Sequence, residues 1–340
     1  MKKILLAILV LLPLASFAQE NKPKTPSVKI SGLVKGKWEY CLEDNTNRFD
    51  LRNSRLGVSG NLNSIVDYKV QVEYSNHGSL NLLDAFATLN LFENFKVSIG
   101  QLDIPFSEDY VVSPTQNIFA NRTFVAKFTN PSTRDLGAYA TYKLKSVPLT
   151  FYAGLYNGYG INNPKWQDAP FVLGRVNYGT MDGFRTSVKY YGGKDSKDNK
   201  LAQYGLDMRY GTSKYAIEAE FVMKDSIDKD VIISGTYLQG YYHIPINNCK
   251  TIKYIRPTLR ADAMGYNILD RGFDIGRATI GINLGLDTKA LAAEIRLNYE
   301  GFIFHSGEDE LRIDGYYANF FDASDKRIFD KFTIELLVKF

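Results

Sequence analysis

Arg175, Arg185 and Arg209 stand on three consecutive alternating stretches of the sequence, where they can come together as one basic patch. A guanidinium is permanently charged and presents a planar fork of donors, so such a patch would attract phosphate and carboxylate groups. A second set of charges, Glu108, Asp109, Arg122, Lys127 and Arg134, falls in the long connection 103–135, among Phe106, Tyr110, Phe119, Phe124 and Phe128. About 30 residues this apolar would not stay soluble as a free lid, so the connection is expected to pack against an inner wall. An ordinary exposed loop is the plainer reading. The chemistry in view is electrostatic rather than covalent. His77, His243 and His305 are the only histidines, and the Ser residues near His77 and His305 come with neither an acid nor oxyanion donors. Metal-ligand spacings, phosphate-cradling glycine loops and nucleotide fingerprints are missing from the sequence. No catalytic residue, metal or cofactor is therefore expected, and an enzyme is the weakest reading.

The elements that must position these charges are most legible at the end of the chain. Across 331–340, Phe332, Ile334, Leu336, Val338 and Phe340 share one face, while Lys331, Thr333, Glu335 and Lys339 share the other; Leu337 alone breaks the alternation. A strand of about 10 residues with one apolar and one charged face suits a wall between lipid and water. The edge strand of a soluble sandwich is the alternative. The same alternation places strands near 28–41, 52–62, 66–75, 82–92, 94–102, 136–145, 148–156 and 170–179. It continues near 183–191, 202–211, 214–223, 231–243, 252–263, 274–286, 289–300 and 330–340. That gives about 16 strands, an even number as single-chain barrels require, and every second connection is short. A sandwich has no reason to alternate its loop lengths. Aromatic residues gather at strand ends: Tyr178, Phe184, Tyr210 and Tyr215 at the short turns, with Trp38, Tyr40, Tyr74, Tyr190, Phe221 and Tyr299 at the opposite rim. The fold expected is an all-β transmembrane antiparallel barrel with a long third loop folded into its lumen.

In that phase about 17 basic and about 10 acidic side chains point inward, Lys35, Arg55, Arg256, Arg260, Arg277 and Arg296 among the basic ones. Fixed positive charge in a low-dielectric wall raises the local concentration of anions. Residues 1–18 read as a secretory signal peptide, with Lys2 and Lys3 ahead of an apolar run and Ser16-Phe17-Ala18 before Gln19. Residues 19–27 read as a short disordered leader, and 28–340 as a single domain. Removing Lys2 and Lys3 lowers the formal net charge from +4 to +2, which gives no argument for nucleic-acid binding. Cys41 and Cys249 are expected as free thiols, with one disulfide as the alternative.

Five stretches are recognisable in order: Arg55-Leu-Gly-Val-Ser-Gly-Asn-Leu, Leu83-Asp-Ala-Phe-Ala, Gly100-Gln-Leu-Asp-Ile-Pro-Phe-Ser-Glu, Arg134-Asp-Leu-Gly and Tyr156-Asn-Gly-Tyr-Gly. Together they resemble the phosphate-selective porin O and P family of Gram-negative outer membranes, most strongly over 52–178. The resemblance implies a 16-stranded barrel, usually trimeric, sitting in outer-membrane lipid and admitting small anionic solutes, with phosphate a candidate among them. Separately, the terminal strand ending in Phe340 resembles the terminal signal of bacterial outer-membrane barrels, which implies reading by the barrel-assembly machinery. The family's arginine ladder and its lysine-bearing loop have no residue-by-residue match in this chain. A barrel that adheres or supports without conducting is the alternative function.

Overall fold

The computed structural model describes residues 25–75, 79–128, 134–194, 199–229, 231–286, 292–305 and 330–340. The expected signal peptide, most of the leader, His77 and most of the eighth long loop lie outside them. Within them the chain forms a closed antiparallel barrel of 16 strands. The first half comprises β1 (Ser27–Cys41), β2 (Thr46–Leu51 continued by Ser54–Asn61), β3 (Val66–Ser75), β4 (Ser79–Phe92), β5 (Phe95–Asp103), β6 (Arg134–Lys143), β7 (Leu149–Tyr156) and β8 (Phe171–Gly179). The second comprises β9 (Gly183–Lys194), β10 (Lys200–Gly211), β11 (Tyr215–Ser226), β12 (Val231–Tyr242, extended by Ile244–Pro245), β13 (Ile252–Tyr266), β14 (Ile275–Leu286), β15 (Ala292–Phe304) and β16 (Lys331–Lys339). No helix among the described residues is long and apolar enough to cross a membrane; the crossing is made by strands, whose backbone groups all pair once the ring is closed.

Each strand pairs with its sequence neighbour, and β1 pairs with β16 from Leu33↔Lys339 to Cys41↔Lys331. The seam is finished by two backbone hydrogen bonds, Gly32 N–H to the Phe340 carbonyl (2.8 Å) and Phe340 N–H to the Gly32 carbonyl (3.0 Å). A side chain on Gly32 would occupy the space taken by the Phe340 ring, so the ring packs over the strand where a glycine leaves room for it. The side-chain phase follows the alternation of the sequence. Phe332, Ile334, Leu336 and Phe340 are between 45% and 54% exposed on the outer face, while Thr333 and Glu335 are buried inside. Leu337, which breaks the pattern, is buried on the inner face. Short connections at 62–65, 93–94, 144–148, 180–182 and 212–214 share one rim with Ser27 and Phe340. Tyr210 and Tyr215 lie 6.1 Å apart at that rim, and Tyr299 and Phe332 pair at 5.0 Å farther up the wall. Cys41 and Cys249 are both free.

The strand bounds differ from the alternation reading chiefly at β2, which starts at Thr46 rather than 52. The reason is a bulge. Gly36↔Leu51 and Leu33↔Arg55 are both in register, yet β1 has two residues between them and β2 has three. Asn53 takes up the extra residue with φ 55°, a left-handed conformation that asparagine tolerates. The outward positions consequently switch from Phe49 and Leu51 to Leu56 and Val58, and no regular period spans the change. A second bulge sits on β4, where Val72↔Leu82 and Gln71↔Asp84 leave Leu83 as the extra residue.

Candidate functional site

The connection between β5 and β6 lies against the inner wall. It carries two short helices, α1 (Glu108–Val111) and α2 (Val125–Phe128); Val125 and Phe128 of α2, together with Ile104, Phe106 and Phe124, join an apolar cluster with inward-facing Leu173, Tyr191, Val222, Ile233, Tyr237, Met264 and Ile275. Such a cluster removes the loop's large side chains from water, and Phe106, Phe119, Phe124 and Phe128 are each at most 2% exposed. Irregular backbone buried in this way needs partners, and the wall supplies them. Arg296 Nη1 donates to the Pro114 carbonyl (3.2 Å), Asn283 Nδ2 to Ile118 (2.8 Å), Arg260 Nη1 to Asn121 (2.9 Å) and Arg277 Nη2 to Arg122 (2.8 Å). Lys35 Nζ reaches the Ala120 carbonyl at 3.3 Å and Arg175 Nη1 that of Pro105 at 3.3 Å. In the other direction, Phe124 N–H donates to Asp262 (2.8 Å), Ala120 N–H to Asn298 Oδ1 (2.9 Å) and Ser107 Oγ to Glu220 (3.0 Å).

The wall arginines are therefore engaged. Arg175 and Arg185 both form ion pairs with Glu108, the second at 2.5 Å, so this carboxylate does not stand across an open passage from them. Burial works against the Glu108 carboxylate, but Arg175, Lys189 and Arg185 outweigh it and bring its pKa down to about 2. Arg209 is the direct cross-strand neighbour of Arg185 but turns toward the rim, to Glu218 (3.3 Å) and the Met181 carbonyl (2.5 Å). Arg175 and Arg185 thus share Glu108, while Arg209, on the same wall, binds elsewhere. Asp109 fastens the loop to itself, accepting from Thr123 N–H (2.7 Å) and Oγ1 (2.9 Å). Lys127 lies in α2.

Arg134 pairs with Asp84 (2.8 Å), which Lys69 also reaches (2.5 Å). Arg277 binds Asp262 (2.6 Å) and Glu300 (2.7 Å), and Arg260 joins the same pair. Arg296 bridges Glu294 (2.6 Å) and Glu335 (3.0 Å). Arg256 lies 4.7 Å from both the Tyr241 and Tyr254 rings and 3.6 Å from Glu294.

A polar cavity of about 280 Å³ remains between the loop and β1 to β4. Lys35, Arg52, Asn53, Arg55, Glu73 and Leu83 line it from the wall; Tyr110, Asn117, Ala120, Asn121, Arg122 and Ala126 line it from the loop. Both bulges belong to this wall. The one on β2 sends Arg52, Asn53 and Arg55 toward the lumen within four residues, where strict alternation would send two, and it bonds Arg52 N–H to the Lys35 carbonyl at 3.1 Å. Arg55 pairs with Glu73 (2.5 Å), Lys35 with Glu335 (3.0 Å) and Arg52 loosely with Asp50 (3.9 Å). Arg122 forms no ion pair among the described residues; its Nη2 donates to the Val112 carbonyl at 3.1 Å, and its guanidinium sits 6.0 Å from the Tyr110 ring. Four cations around one cavity, set against Glu73 on its lining and Glu335 and Asp50 behind it, leave a net positive field.

Of this lining, the sequence pattern points to Lys35, Arg55, Glu73, Tyr110 and Arg122 but not to Arg52, Asn53, Asn117 or Asn121. For Arg52 and Asn53 a signal exists, the change of apolar parity between Leu51 and Leu56. For the two loop asparagines there is none, because a loop has no period.

Residues 35–174 match the family of phosphate-selective porin O and P. No curated protein matches the chain. Among solved structures, OmpF of Salmonella typhi in complex with daunomycin superposes with a TM-score of 0.65 at 13% identity, covering 93% of this chain and 98% of that one. An anion-selective porin from Comamonas acidovorans gives 0.62 at 12% identity over 93% and 99%. OmpT of Vibrio cholerae, an outer membrane protein solved in a trimer form, gives 0.61 at 12% identity over 93% and 100%. At these identities the likeness establishes the fold, which is the porin barrel, and with the family match it supports an outer-membrane porin channel.

Proposed function

We propose that this chain is an outer-membrane porin through which small solutes diffuse passively, with a preference for anions set in the cavity beside the loop. One observation carries the preference: Lys35, Arg52, Arg55 and Arg122 surround the cavity, and Arg122 makes no direct ion pair among the described residues. Phosphate belongs to the class of ion these residues attract, since a guanidinium matches oxyanion geometry. Arg175, Arg185 and Arg209 act on the other side of the loop, the first two by holding it through Glu108. The trimer found for a structural neighbour supports a homotrimer for this chain. Residues 1–18 serve as an export signal, so the mature chain begins at Gln19 on N-terminal sequencing.

The test is the reversal potential of the purified channel in a planar bilayer under a salt gradient. The parent channel gives an anion-preferring potential, and Arg52→Glu combined with Arg122→Glu abolishes or reverses it, because both charges lie within a Debye length of roughly 8 Å of the passage. Changes at the rim, such as Lys29→Glu or Lys339→Glu, leave it nearly intact. A bilayer with no conductance at all would favour the adhesive or structural barrel instead.

A further inference from the structure

Two buried polar atoms of the cavity have no partner. Arg122 Nη1 is a donor without an acceptor, and Asn117 Oδ1 is an acceptor without a donor, on a residue only 7% exposed. Both residues line the same space from the loop side. Each such atom is costly to leave unmade in a low-dielectric interior, by about 1–3 kcal/mol, and the remaining wall polar groups are occupied by Glu335, Glu73 and the loop backbone. Chloride answers only one of the two needs, since it accepts and cannot donate to Asn117. The fitting solute carries a negative acceptor group beside a hydroxyl.

Size and lining narrow the class further. A cavity of about 280 Å³ equals about nine waters at roughly 30 Å³ each, room for a hexose-derived acid, whereas phosphate would fill a small part of it. Leu83, Ala120, Ala126 and the Tyr110 ring offer apolar surface to the C–H faces of such a solute. The amides of Asn53 and Asn121 lie on the same lining as donors and acceptors for further hydroxyls, Asn121 while also bonded to Glu300 at 2.9 Å. We infer that the cavity is a binding site for a hydroxylated carboxylate of the sugar-acid class, held by its carboxylate at Arg122, Arg52 and Arg55 and by a hydroxyl at Asn117. This inference rests on the porin reading above.

Block of the chloride current through the intact channel tests it, with sodium gluconate, sodium acetate, glucose and inorganic phosphate as probes in the same bilayer. Gluconate is expected to block at a concentration roughly tenfold below that of the other three, one well-formed hydrogen bond accounting for that margin. Asn117→Ala raises the gluconate concentration needed by a similar factor, and heat-dependent migration of the variant on a gel verifies that its barrel is closed. Phosphate blocking as well as gluconate would overturn the inference in favour of a bare oxyanion site. Glucose blocking as well would overturn it in favour of a neutral sugar site. A parent channel that prefers anions but is blocked by none of the probes sinks this inference alone, whereas a parent channel without anion preference sinks the reading beneath it.

Discussion

Glu108 shows how an arginine-rich wall can be something other than an anion track. Its carboxylate draws Arg175 and Arg185 together and fixes the start of the loop, where Ser107 Oγ and Glu108 N–H also reach Glu220. Removing one partner from a buried pair leaves the other charged and desolvated, at about 3–5 kcal/mol. Glu108→Gln is therefore expected to loosen the loop's first turn and to add rapid flicker to single-channel records, while the barrel itself survives. Quiet records from a correctly folded variant would show the anchor to be dispensable. The pH dependence has a definite sign. The folded pKa is depressed to about 2 from an ordinary value of 4.5, so the anchor's contribution is complete above that ordinary value and is lost as pH falls toward 2. Channel records should stay the same from neutral pH down to about pH 5 and become unstable below about pH 3; flicker that sets in near neutral pH would point to another group.

At the level of single elements, the bulge on β2 makes a structural prediction of its own. Deleting Asn53 would leave Leu51, Ser54 and Leu56 outward and Arg52 and Arg55 inward, which restores strict alternation without moving a lipid-facing residue. The deletion is expected to fold and insert, and to change conductance because both guanidiniums are re-aimed; failure to fold would mean that the bulge is needed for closure. The seam between β1 and β16 is sensitive in a different way. Gly32→Val places side-chain atoms in the volume of the Phe340 ring, and removing Phe340 deletes both terminal backbone hydrogen bonds. Either change should lower the amount of folded protein in the outer membrane, read on gels as loss of the heat-modifiable band. Normal levels after removal of Phe340 would show that the rest of the alternating set, Phe332, Ile334, Leu336 and Val338, suffices for assembly.

For the whole molecule, the loop is expected to set how much of the barrel conducts, because it is bonded across the inner wall. It is held by side chains of β1, β8, β11 and β13 to β15, and the side toward β1 to β4 keeps an open polar cavity. Removing residues 113–121 would take away the Pro114, Ile118 and Ala120 carbonyls that Arg296, Asn283 and Lys35 bind, yet Arg296 and Lys35 would keep Glu335. Conductance should rise several-fold and anion preference should fall, because a wider aqueous path screens the wall charges; unchanged conductance would mean that current bypasses the loop. The barrel was legible in the sequence because lipid outside and water inside impose a period of two on every strand, and the phase could be read from residues as local as 331–340. The two bulges beside the cavity broke that period in a readable way only at Leu51 and Leu56, since the alternation around Leu83 is already obscured by Leu80 and Leu82. Which arginines are neutralised and which face the passage was decided by tertiary structure alone. The deciding contacts join residues far apart in sequence, Arg296 to Pro114 or Ala120 to Asn298. The sequence determined which side chains point inward, but the path of the aperiodic loop, set by where its aromatic residues could be buried, chose their partners.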